Sequence, residues 1–143
     1  MSDELAALCR RLFSEKESHE NTLDELVDLD DPLKRELATL LIEKLKDEDR
    51  FIRVSAMLAL ERLGPITEEV IPALAQTFSD PHHTVAKMAI RAMGRMGPAV
   101  VGHLIKALQY REGRVAENAA QALEAFDTPE AVKALADFRR RSA

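Results

Sequence analysis

Three thirteen-residue segments of this chain carry one pattern. Val85–Gly97 reads Val-Ala-Lys-Met-Ala-Ile-Arg-Ala-Met-Gly-Arg-Met-Gly. Ile52–Gly64 reads Ile-Arg-Val-Ser-Ala-Met-Leu-Ala-Leu-Glu-Arg-Leu-Gly, and Val115–Asp127 reads Val-Ala-Glu-Asn-Ala-Ala-Gln-Ala-Leu-Glu-Ala-Phe-Asp. The segments begin at 52, 85 and 115, so the period is 33 and then 30 residues. A period of that length marks a repeat architecture, in which each unit hides its apolar face only by stacking on its neighbours. It also directs the function towards binding, because a stack of similar units presents surface rather than one enclosed site.

The residue types that fill the pattern make the units helical. Apolar residues are 46% of the chain and aromatics only 4%, with no Trp. Ala, Leu and Met supply the interior, and with Glu, Lys and Arg they are the strongest helix formers. No run of alternating β-branched or aromatic residues suggests a strand. The expected class is all-α.

Residues 2–18 read as a first amphipathic helix, with Ser2 as N-cap, Asp3 and Glu4 in the first turn, and Leu5, Leu8, Cys9, Leu12 and Phe13 on one face. A break is expected at His19–Asn21, and Thr22 then opens a short segment with Leu23, Leu26, Val27 and Leu29 apolar. Residues 1–31 fall outside the repeat pattern and read as an N-terminal helical cap. Residues 32–143 read as repeats, about 32–64, 65–97 and 98–127, closed by a terminal helix at 129–141.

In the first repeat Pro32 starts a helix whose inward residues are Leu37, Leu40, Leu41 and Leu45. Lys46–Asp49 form the turn, and Phe51, Ile52, Ala56, Ala59, Leu60 and Leu63 line the second helix up to Gly64-Pro65. The second repeat buries Ile71, Leu74, Ala75 and Phe78, turns at Ser79-Asp80-Pro81, and then buries Val85, Ala89, Ala92, Met93 and Met96 before Gly97-Pro98. In the third, Val101, Leu104, Ile105 and Leu108 are followed by a turn at Tyr110–Gly113 and by Val115, Ala119, Ala122, Leu123 and Phe126. The terminal helix offers Ala131, Val132, Leu135 and Phe138, and ends in Arg139-Arg140-Arg141.

The pattern Asp-x-x-x-x-(Val/Ile)-Arg-x-x-Ala-x-x-Ala-Leu-x-x-Leu-Gly resembles the HEAT repeat in its short bacterial form, the phycobilisome-lyase HEAT-like repeat. Asp47 or Asp49, Ile52, Arg53, Ala56, Ala59, Leu60, Leu63 and Gly64 carry the resemblance best, and it spans about residues 33–140. It implies a right-handed α-solenoid, an α-α superhelix of HEAT-like repeats. In the family the repeat's Arg often ties one repeat to an acidic turn residue of its neighbour. Here it survives only as Arg53, with Ala86 and Ala116 at the matching positions. Most members are scaffolds or adaptors that hold a partner on the concave face, and a minority are bilin lyases, DNA-repair glycosylases or di-iron hydroxylases.

Second helices usually line that concave face, so their outward positions are the candidate site. These are Val54, Leu58 and Arg62 in the first repeat, Lys87, Arg91 and Arg95 in the second, and Glu117, Gln121 and Glu124 in the third. Lys87, Arg91 and Arg95 form a cationic ridge at i, i+4 and i+8 on a helix that carries no acid. The expected partner-binding residues are Val54, Met57, Leu58, Arg62, Lys87, Arg91, Arg95 and Gln121. The partner implied is a protein with an acidic or amphipathic segment.

Enzymatic readings find little support. His82-His83 has no ligand at metal-binding spacing on its own element, and His19-Glu20 is the only His-Glu pair, where di-iron members use several. No catalytic group, metal or cofactor is expected. Residues 1–50 hold 15 acids against 8 bases, while Ile71–Tyr110 contains the single acid Asp80. That balance disfavours nucleic acid, which would need a broadly basic face. The lone Cys9, the absence of an apolar leader in the first 20 residues and the lack of a membrane-length apolar run point to a reducing cytoplasm.

The expected function is therefore a non-enzymatic protein-interaction adaptor. The alternatives are an accessory subunit of a bilin lyase or other modifying enzyme, and a nucleic-acid binder using the basic second repeat. An open C-terminal edge, at Arg111-Glu112 and Asp127, leaves room for self-association.

Overall fold

The computed structural model describes residues 2–14, 19–110 and 114–142. Among them all regular secondary structure is helical, so the all-α helical-repeat class expected from the period is the one observed. The chain divides into two compact units, residues 1–70 and 71–143.

The first unit opens with α1 (Asp3–Leu12), and Ser2 caps it by accepting the Leu5 amide at 3.2 Å. Leu5, Leu8 and Leu12 are buried at the spacing of one helical face. α2 runs from His19 to Val27, so the break expected at His19–Asn21 is instead the first turn of a helix. The polar opening His-Glu-Asn hid it: a first turn needs no apolar residue, so apolar periodicity shows only from Leu23 onward. Of the apolar residues of this segment, Leu23 and Leu26 are buried and Val27 is 53% exposed.

α3 (Asp31–Lys44) begins at a cap in which Asp30 accepts the Leu33 amide at 3.0 Å, followed by Asp31 and Pro32. Pro in the first turn costs nothing, because its missing N–H would have no intrahelical partner there. α4 (Arg50–Leu63) starts from Asp49, whose carboxylate accepts the Phe51 amide at 2.9 Å. It stops at Gly64, where φ is +74° and the amide reaches back to the Leu60 carbonyl at 2.9 Å. Only glycine adopts that left-handed geometry without steric cost.

α4 packs against α1, α2 and α3. Its Arg53 is only 8% exposed and donates to the carbonyls of Asp47 at 2.9 Å and Glu48 at 3.1 Å. The repeat Arg thus closes the turn of its own repeat.

The second unit comprises α5 (Val70–Gln76, which opens in the first unit), α6 (His83–Arg95), α7 (Val101–Ala107), α8 (Val115–Leu123) and α9 (Pro129–Ser142), with 3₁₀ turns at Thr77–Ser79 and Pro98–Val100. Val85, Ala89, Ala92, Met93 and Met96 are all buried, as their spacing predicts. Gly97, at φ +86°, ends this stretch as Gly64 ends the first. Thr128 accepts the Ala131 amide at 3.3 Å and so starts α9 where the Gly-Pro stop is missing.

α9 rests on α7 and α8 through Ala131 and Leu135. Val132, expected inward, is 54% exposed; it neighbours the buried Ala131 and is turned by one residue from that contact stripe. The turn residues Arg111, Glu112 and Gly113 lie outside the described residues, and with them the proposed open edge at Arg111-Glu112.

Candidate partner-binding surface

The second unit supplies the clearest surface. α6 divides cleanly: Val85, Ala89, Ala92 and Met93 are completely buried, while Lys87, Arg91 and Arg95 are exposed. Residues four apart on a helix rise about 6 Å, so the three cations span about 12 Å along one side. Arg91 and Arg95 already interact within the protein, so the ridge is partly engaged rather than three idle charges.

Two contacts fix how α8 lies beside α6. Near the helix starts, Arg114 Nη1 is 2.5 Å from His83 Nε2. At the other end, a Cβ added to Gly94 would sit 3.3 Å from the Ala125 Cβ. Both pairs are 31 residues apart, so the two helices run parallel in a single register. The absence of a side chain at Gly94 is what allows the close approach there. Between these ends Asn118 is half-buried and donates its side-chain amide to the Phe78 carbonyl at 2.9 Å, tying the third repeat to the second.

That register places Lys87 level with Asn118 and Arg91 level with Ala122, so Glu117 and Gln121 each lie one residue, about 1.5 Å, short of the cation beside them. Glu117, Gln121 and Glu124 are exposed like their counterparts on α6. Glu124 is paired with Arg139 of α9 at 2.8 Å. Lys87 and Glu117 make no ion pair among the described residues. The exposed face of α6 and α8 therefore carries a cationic column beside an acidic and amide column.

The remaining expected residues belong to the first unit. Val54 and Leu58 are partly exposed, and Arg62 is exposed but bound to Asp24 of α2 at 2.7 Å. Met57 is completely buried and is core, not surface. Helical geometry from α4 alone leaves Met57 at the edge of the outward strip, but three helices pack on α4 and narrow that strip. Sequence reasoning also omitted Asp24, since nothing local links it to Arg62 across 38 residues.

No group of three His, Cys, Asp or Glu among the described residues is arranged to hold a metal ion. The His19 and Glu20 side chains lie outside the described ones. Cys9 is partly buried; burial pushes its thiol up and the Lys44 charge pulls it part of the way back. No helix among the described residues is long and apolar enough to cross a membrane.

Comparison with known proteins agrees with this architecture. A family model described as HEAT repeats matches residues 71–143. The chain is also similar to the crystal structure of an engineered protein, with a TM-score of 0.54 and 21% identity, over 96% of this chain and 69% of that one. No curated protein matches it. A family match over half the chain, on the same helices whose register and caps were derived above, places the protein in the HEAT-repeat family.

Proposed function

We propose that the protein is a non-enzymatic adaptor that captures a partner protein on the exposed face of α6 and α8. The observation that carries this reading is the division of α6. One side is wholly committed to the core, and the other presents Lys87, Arg91 and Arg95 on a helix without a single acid. A preformed, rigid face of this kind lowers the ordering cost of association. Lys87 is the leading contact, Arg91 and Arg95 extend its field, and Gln121 adds a hydrogen-bonding group from α8. In the first unit, Val54 and Leu58 offer a separate apolar contact, with Arg62 held by Asp24 beside them.

Within the family we assign the chain to the short, phycobilisome-lyase HEAT-like type, on its 30- to 33-residue period and its seven-residue α5 and α7. We place it in the cytoplasm on its lone, unbridged cysteine.

The test is differential capture from the source cell, with the captured protein identified and then rebound in purified form. Lys87→Glu should weaken rebinding, and Lys87→Glu with Arg91→Glu should abolish it, with helical content unchanged by circular dichroism. Wild-type rebinding by the folded double variant would refute the assignment. Retention of DNA that falls steeply with salt would favour the nucleic-acid reading instead.

A further inference from the structure

The parallel register of α6 and α8 carries more than a cationic ridge. Two adjacent columns of exposed side chains differ in sign: Lys87, Arg91 and Arg95 on α6, and Glu117 and Gln121 on α8 with Glu124 at its C-terminal cap. Arg91 and Arg95 have interactions of their own, and Glu124 is held by Arg139. The charges without ion pairs among the described residues are thus Lys87 and Glu117, one from each column. A uniformly acidic segment would gain at Lys87 and lose at Glu117.

We propose that this face receives a partner α-helix striped in the opposite sense, with carboxylates in a row over α6 and a Lys or Arg over Glu117. The proposal rests on the adaptor reading and names its partner's chemistry.

Geometry selects a helix. Packed helices lie about 8–10 Å apart, so the two columns are separated by about that distance. An extended strand shows one file of side chains on each face and can follow one column only. A helix shows two rows on one side, from residues three and four apart, and can follow both. Its own i, i+4, i+8 rise repeats the spacing of Lys87, Arg91 and Arg95. Opposite charges in both columns set the partner's direction and exclude a like-charged alternative.

The experiment uses the whole protein and two synthetic helical peptides of about 20 residues, long enough to hold helical structure. Both have one composition. The first carries a glutamate row and a lysine row on one side, and the second has the same residues scrambled around the helix. Binding is read by fluorescence anisotropy at low salt. The striped peptide should bind more tightly than the scrambled one, and Lys87→Glu and Glu117→Lys should each weaken it about fivefold. The double exchange, Lys87→Glu with Glu117→Lys, should recover binding for a peptide whose rows are interchanged.

Equal binding of striped and scrambled peptides, no binding of either, or an unchanged affinity in Glu117→Lys would overturn the proposal. If Lys87→Glu weakens capture of the cellular partner while Glu117→Lys does not, the adaptor reading stands and the striped-helix partner falls. Both exchanges are at exposed positions, and circular dichroism separates lost binding from lost fold.

Discussion

Asn118 and Ser55 occupy the same place in their repeats, three residues after Val115 and Ile52, and they behave oppositely. Asn118 spends its side-chain amide on the Phe78 carbonyl at 2.9 Å. The Ser55 hydroxyl is buried with no hydrogen-bond partner among the described residues. One position therefore joins two repeats in one case and buries a hydroxyl without a protein partner among the described residues in the other.

Asn118→Ala removes the donor and leaves the Phe78 carbonyl without it. A lost hydrogen bond to a part-buried group costs about 1–2 kcal/mol. Urea denaturation should show an unfolding free energy lower by that amount, seen as an earlier midpoint with little change in slope.

Ser55→Ala should act in the other direction. The hydroxyl pays its desolvation without return, and Ala is the better helix former. The expected outcome is a protein equal in stability or up to about 1 kcal/mol more stable, read from the same denaturation curve. A loss above about 1 kcal/mol would mean that the hydroxyl has a partner in solution.

Arg53→Met tests the buried guanidinium. Its bonds to the Asp47 and Glu48 carbonyls disappear, and both oxygens lose a charged donor. Hydrogen bonds to charged groups contribute about 1.5–3 kcal/mol each, offset here by relief of burying the charge, so a net loss of about 2 kcal/mol is expected. Thermal unfolding followed by circular dichroism measures it.

Arg11 and Glu25 predict a pH response. The guanidinium meets the carboxylate through two bonds, 3.0 and 2.5 Å, and holds Glu25 below its ordinary value of 4.5, first by hydrogen bonding and then by its charge. A carboxyl with a lowered value binds fewer protons folded than unfolded, so its contribution is complete above 4.5 and is lost as pH falls through the folded value. The pair is exposed, so the effect is small and screened by salt. Glu25→Gln should be less stable than wild type near neutrality, and the two curves should converge in acid. A constant difference down to the lowest pH would contradict the coupling.

The helices and their ends were legible because the determinants are local. Asp30 with Pro32, Asp49, Gly64 and Gly97 each act within a few residues, and the Ala and Leu spacing of α4, α6 and α8 is a one-helix property. The ties between elements were not legible. Arg62 to Asp24 and Asn118 to Phe78 join residues 38 and 40 apart, and nothing in either neighbourhood marks the partner. Met57 failed for the same reason, since its burial is decided by the number of helices around α4. The cationic ridge was legible as a pattern, whereas the acidic column beside it acquired meaning only through the register of α8.

That register is held at its two ends, by Arg114 against His83 and by Ala125 against Gly94, and between them by Asn118 on the Phe78 carbonyl. Glu117 and Gln121 are exposed and take no part in those three contacts, so anchoring and display fall to different residues of α8 and its ends. The same scaffold can thus be reprogrammed for a new partner by exchanging a few outward side chains on α8, the anchoring contacts staying as they are.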